Sequence, residues 1–175
     1  IFLGKQSEHL PHVIHSTDQS NVFFFWSGHG SSQSGPLWGN EDARFGFGVE
    51  RLQNLVQTMY NEKKYRRFML AIETCYSGLW GEAITGIPDV IAITAANAYE
   101  PSKADVHDRQ LGVFLSNAFA RAFREAINAN PQISIHDLYT RLANSTTGSH
   151  VTLYNEQNYG SVYSNDMGDY ATRGY

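Results

Sequence analysis

The chain carries a single cysteine, so no disulfide can close within it and no cysteine-rich zinc site can be built from it. Cys75 is therefore either a small buried hydrophobe or a reactive thiol, and its neighbours decide which. Long apolar runs are missing too. The longest, at residues 22–26 and 68–72, fall far short of the roughly 20 residues a membrane-spanning helix needs. Basic charge is scarce: 13 Lys and Arg stand against 17 Asp and Glu, a net charge of −4. No stretch joins clustered cations to stacking aromatics, which argues against a nucleic-acid partner. The chain opens at Ile1 without a methionine or a signal peptide, so the expectation is a piece of a longer precursor, with any targeting segment upstream. Charged residues make up only 17% of the 175, and hydrophobic ones 42%, enough for one buried core. With no internal repeat and no linker in view, the expectation is a single domain over residues 1–175.

Short, continuously apolar runs mark strands covered on both faces. Asn21-Val-Phe-Phe-Phe-Trp-Ser27 is one, stopping at Gly28-His29-Gly30. Residues 68–74 form a second, and residues 89–95, entered through Pro88, a third. Between the first two, Val49, Leu52, Leu55, Val56, Met59 and Tyr60 recur at helical spacing and predict an amphipathic helix. A wide apolar stripe from Leu111 through Phe114, Leu115, Phe119 and Phe123 to Ile127 predicts another, ending before Asn130-Pro131. Ser134 with Asp137 opens a shorter helix through Leu142, residues 149–154 read as a last strand, and the tail beyond reads as irregular. Strands alternating with helices imply an α/β fold with a mostly parallel sheet and helices on both faces. Sites in such sheets form at the carboxyl ends of strands. His29 and Cys75 each follow a predicted strand, and one helical crossover joins the two, so adjacent parallel strands bring them together. Residues 31–39, rich in Ser, Gly and Pro, read as a loop beside that site.

A cysteine attacks a carbonyl carbon as its thiolate, and it needs a partner that takes the proton and later returns it to the leaving amine. Histidine suits both steps. Gly28 and Gly30 let the backbone turn tightly around His29, and Gly30 offers an unobstructed N–H to a developing oxyanion, with the Cys75 amide as a second donor. Gly78 frees the turn after the nucleophile. The separation of 46 residues between His29 and Cys75 is close to the roughly 50 by which the histidine precedes the nucleophile in caspases. A buried cysteine and a turn histidine are the plainer alternative, but both residues sit at strand ends beside glycine or polar neighbours, at one edge of one sheet.

Phe24-Phe-Trp-Ser-Gly-His-Gly-Ser31 and Ala71-Ile-Glu-Thr-Cys-Tyr-Ser-Gly78 resemble the two catalytic blocks of the legumain family of cysteine peptidases, family C13 of the caspase-like clan. Met59-Tyr-Asn-Glu-Lys-Lys-Tyr-Arg-Arg67, Thr94-Ala-Ala-Asn97 and Gly148-Ser-His-Val151 are similar to further segments of that family, in the same order. The resemblance implies a caspase-like three-layer α/β sandwich, a cysteine endopeptidase with His29 and Cys75 as its dyad, no metal or organic cofactor, and a secreted or cell-envelope location. The glycosylphosphatidylinositol transamidase shares these blocks, so transfer of the acyl group to an amine, as in a transamidase or peptide ligase, stays open beside hydrolysis. A third alternative is a non-catalytic binding module on the same fold, against which the intact His29, Gly30 and Cys75 argue.

Two departures bear on specificity. Legumains usually place an aspartate immediately before the catalytic histidine, where this chain has Gly28, and an acidic residue of their primary specificity pocket aligns near Val113. Strict asparagine specificity is therefore not carried over. Glu73 stands two residues before Cys75, so strand alternation puts both side chains on one face, and the resemblance puts Glu73 in the primary specificity pocket. The loop at residues 97–108 is the other expected wall, with Ser102, Asp105 and Asp108 as candidate substrate contacts. Carboxylates there would favour an amide-bearing or basic residue before the scissile bond. His9, His12 and His15 recur every third residue, but Pro11 breaks any helix that would align them and no carboxylate or cysteine joins them, so no metal site is expected. His150 reads as a packed or hydrogen-bonded histidine. Finally, a caspase-like sheet normally begins with two strands and a helix that precede the histidine strand, and only 20 residues stand before Asn21. The first strands are accordingly expected from a separate chain, an amino-terminal fragment of the same precursor.

Overall fold

The computed structural model describes residues 1–9, 11–36 and 47–171. Three strands run parallel in the central sheet: β1 (Asn21–Ser27), β4 (Arg67–Glu73) and β5 (Val90–Thr94). A fourth, β8 (Thr152–Tyr154), pairs antiparallel to β5, giving the order β1-β4-β5-β8. The three apolar runs predicted as strands are β1, β4 and β5, within one residue at each end, whereas the last strand, expected over residues 149–154, is confined to Thr152–Tyr154.

β4 is the centre of the molecule, and every residue from Phe68 to Glu73 is buried. Its alternation sorts the core into two layers. Phe68, Leu70 and Ile72 face Leu52, Val56 and Met59 of α1 (Val49–Asn61) and Trp80 of α2 (Gly78–Ala83). Met69 and Ala71 face Phe119, Ala122 and Phe123 of α3 (Ala118–Ala129) and Leu138 and Leu142 of α4 (Ile135–Ser145). Helices on both faces of a mostly parallel sheet make three layers, the caspase-like α/β architecture expected. Each large side chain so buried contributes about 1.5–3 kcal/mol.

The reading of residues 111–127 as one helix is corrected by the structure. Residues 113–117 are instead β7 (Val113–Asn117), hairpinned antiparallel to β6 (Ala104–Asp108), and the helix begins only at Ala118. The turn explains the change. The Asp108 carboxylate accepts the Gln110 and Leu111 N–H groups at 2.8 and 2.9 Å, and Gly112 holds a left-handed φ of +68° that closes the hairpin. Leu111, Phe114 and Leu115, counted as part of the apolar helix stripe, are exposed. The tail also has order, with α5 (Glu156–Tyr159) and a 3₁₀ turn (Met167–Tyr170) that carries Tyr170 across to Phe23 of β1.

Candidate functional site

Strand register brings the two sequence blocks together. The last pair between β1 and β4 is Ser27 with Glu73, and the Gly28 N–H continues the ladder to the Glu73 carbonyl at 3.1 Å. Two residues further along each chain stand His29 and Cys75, so their separation of 46 residues equals the register offset of the paired strands, 73 − 27. The two loops touch. A Cβ added at Gly30 would fall 2.0 Å from the Cys75 carbonyl oxygen and 3.0 Å from the Thr74 hydroxyl. Gly30 itself lies in β2 (Gly30–Ser31), paired with β3 (Gly35–Pro36). The segment read as a loop beside the site thus contains a small hairpin, and its positions 37–39 lie outside the described residues.

The turn that carries Cys75 is held residue by residue. Thr74 is buried and its hydroxyl donates to the Cys75 carbonyl at 3.0 Å. Tyr76 adopts φ +56°, in the left-handed region, and its N–H donates to the Glu100 carbonyl at 2.8 Å. The buried Ser77 hydroxyl donates to the Ala96 carbonyl at 3.1 Å and accepts the Ala96 N–H at 3.0 Å. Gly78 opens α2 where a Cβ would lie 2.4 Å from both the Ala98 nitrogen and the Tyr154 hydroxyl, so only glycine fits. On this turn the Cys75 thiol is half-buried, with Sγ 3.8 Å from the Ser102 carbonyl as a weak donor.

Of the expected substrate contacts, Ser102 and Glu73 gather beside Cys75. Glu73 is 1% exposed, and its carboxylate accepts the Ser27 hydroxyl at 2.9 Å, the Ser102 hydroxyl at 3.0 Å and the Asn117 side-chain amide. Burial pushes its pKa up, against the pull of those three hydrogen bonds. Asp105 and Asp108 are engaged elsewhere. Asp105 meets the Arg121 guanidinium of α3 at 2.7 and 2.8 Å, which ties the β6–β7 hairpin to that helix, and Asp108 forms the hairpin turn. Val113, near which the acidic pocket residue of legumains is expected to align, is 48% exposed on β7.

Two partners of Glu73 escaped the sequence reading. Asn117 was counted within a helix, whereas as the last residue of β7 it reaches back to the carboxylate. Ser27 left a signal, being the register partner of Glu73 at a strand end. Glu100 was missed as well: its carboxylate accepts the Asn97 and His150 N–H groups and meets His150 Nδ1 at 2.8 Å. His150 is thus hydrogen-bonded as expected, although it precedes β8 instead of lying in a strand. His9, His12 and His15 are exposed, and among the described residues no group of three or more His, Cys, Asp or Glu side chains could hold a metal ion. Among the same residues no helix is long and apolar enough to cross a membrane.

Known proteins resemble the chain in sequence. Human legumain is 29% identical over 144 residues, covering 81% of this chain and 32% of that protein. The legumain of Pongo abelii is 30% identical over the same shares. The GPI-anchor transamidase of Saccharomyces cerevisiae is 24% identical over 137 residues, 77% of this chain and 32% of its own. The chain thus spans about a third of the length of these relatives. The model of the Peptidase C13 family matches residues 1–168, and the chain belongs to that family.

Proposed function

We propose that the chain is the catalytic part of a cysteine endopeptidase in which Cys75 Sγ attacks the carbonyl carbon of a peptide bond. His29 takes the thiol proton and delivers it to the leaving amine, leaving an acyl group on Sγ. Water activated by the same imidazole then releases the acid and restores the thiol. The Gly30 and Cys75 N–H groups serve the oxyanion. One observation carries the reading: the shared offset of 46 between the paired strands and between the two residues just beyond them. A buried cysteine with no chemical role needs neither this juxtaposition nor a half-buried thiol.

Glu73 and Ser102 form the floor of the primary specificity pocket, since Ser102 meets both the thiol and the Glu73 carboxylate. They select an amide-bearing or basic residue before the cut. Asp105 and Asp108 act one step removed, setting the hairpin that bears Asn117. Acyl transfer to an amine in place of water is the second reading, favoured by the likeness to the yeast GPI-anchor transamidase. The secreted or cell-envelope location rests on the family resemblance alone.

Substitution and substrate profiling test the proposal together. Cys75→Ala should abolish both turnover and labelling by a thiol-directed peptide inhibitor, while His29→Ala should stay folded and lose on the order of 10³-fold in kcat. Cleavage of a peptide library should favour Asn, Gln, Lys or Arg before the cut. Undiminished hydrolysis by Cys75→Ala would overturn the mechanism, and a preference for bulky apolar residues would overturn the pocket.

A further inference from the structure

Glu100 faces two ways on the segment after β5. Its backbone carbonyl accepts the Tyr76 N–H at 2.8 Å, one residue past the nucleophile. Both oxygens of its carboxylate, which is 21% exposed, meet groups of the protein. One oxygen accepts the Asn97 N–H at 3.1 Å and the His150 N–H at 2.7 Å, and the other meets His150 Nδ1 at 2.8 Å. Asn97 closes the same loop by accepting the Tyr99 N–H at 2.8 Å. A short segment is thus locked on itself and tied to the chain entering β8, 50 residues away.

Tyr76 needs such a support. A bulky side chain at φ +56° is held only where its surroundings impose it. The Ser77 pair with Ala96 fixes the following residue independently, so Tyr76 can lose its own anchor without the turn unfolding. The same segment delivers Ser102, two residues beyond Glu100, with its carbonyl beside the Cys75 thiol and its hydroxyl on Glu73. Burial raises the Glu100 pKa, but the hydrogen bonds from His150 and Asn97 outweigh it and bring the net value below the ordinary one, as for a carboxylate committed to these donors.

We infer that Glu100 is a positioning residue for the nucleophile: its carboxylate, gripped by His150 and two backbone amides, fixes the carbonyl that holds Tyr76 in its left-handed turn and sets Ser102 against the thiol. The consequence for turnover rests on the peptidase reading. The consequence for the turn rests on the hydrogen bonds alone, which keeps the two separable.

The test compares Glu100→Ala, Glu100→Gln and His150→Ala with the unsubstituted protein in the full chain. Three quantities are read: hydrogen exchange of the Tyr76 amide, the rate of Cys75 alkylation by a peptidyl chloromethyl ketone relative to iodoacetamide, and kcat with KM. The ketone needs an organised site, whereas iodoacetamide needs only a thiol. Glu100→Ala should speed Tyr76 exchange about tenfold or more and lower the alkylation ratio and kcat/KM by a similar factor. Glu100→Gln keeps an acceptor for the two backbone amides and should restore most of the loss, and His150→Ala should fall between. Unchanged Tyr76 exchange and alkylation ratio in Glu100→Ala would overturn the inference, as would equal damage in Glu100→Gln. If Glu100→Ala fails to fold, the other two variants decide by the same readouts. A wild-type protein with no turnover and no ketone labelling would end the peptidase reading, and Tyr76 exchange would still decide the role of Glu100.

Discussion

Gly30 shows how one absent methyl group can decide a site. The Cβ of an alanine there would lie 2.0 Å from a backbone oxygen, that of Cys75, which no rotamer change can move aside. Gly30→Ala should therefore push the His29 loop away from the Cys75 turn. The expected result is a loss of about 10²-fold in kcat/KM, with the protein still folded by circular dichroism. Full activity in this variant would show that the two loops do not need their close approach. Glu73 makes a second argument at this scale, through pH. Burial holds its pKa above the ordinary 4.5, so the fold favours the neutral acid relative to the unfolded chain. The stability this contributes is fully present below the ordinary value and is lost as pH rises through the raised one. Thermal melts should accordingly show wild type falling behind Glu73→Gln as pH rises from the ordinary carboxylate value of 4.5. Wild type gaining on the amide variant as pH rises would contradict the assignment.

Elements were legible where burial wrote them into the sequence. β1, β4 and β5 are apolar runs of strand length because helices cover both faces, and α1 shows its period because only one stripe of it is buried. Ser134 announced α4 correctly, its hydroxyl accepting the Asp137 N–H at 3.0 Å. The β6–β7 hairpin was illegible for the opposite reason. Its apolar residues Val106, Leu111, Val113, Phe114 and Leu115 are all more than 45% exposed, so no burial pattern marked them, and by chance several extend the helical spacing of α3. Its cause lies in one side chain, Asp108, and one glycine, Gly112. The site divides in the same way. The positions of His29 and Cys75 could be foreseen because each follows a readable strand, and that of Ser102 because its loop follows another. Asn117 was lost with the hairpin, and Glu100 because its partner His150 is 50 residues distant, a pairing that no local pattern encodes.

At the scale of the whole molecule, the sheet is unevenly covered. β1 is an edge strand with β4 on one side only, and among the described residues no strand pairs its other side. Yet it is among the most aromatic stretches of the chain. Phe23 and Phe25 stay 36% and 38% exposed although both rings pack against Phe123 of α3. On the opposite face Phe24 borders an apolar cavity of about 520 Å³, shared with Phe2, Phe47, Leu52 and Phe68. A long, flat, apolar edge invites aggregation, and soluble proteins blunt such edges with charge, proline or a covering segment. β1 has neither charge nor proline. A further strand beside β1, supplied by another segment of the same gene product, would satisfy the open backbone groups and cover the exposed halves of Phe23 and Phe25 together. Because β1 leads directly to His29, that strand would also brace the loop of His29, and on the proposed peptidase mechanism activity should depend on it. Denaturing mass spectrometry of the purified active protein should find either a longer chain or a second fragment that remains bound under native conditions, and amides of β1 should exchange slowly only in its presence. A stable, monomeric and active chain of these 175 residues alone would show instead that the edge needs no cover.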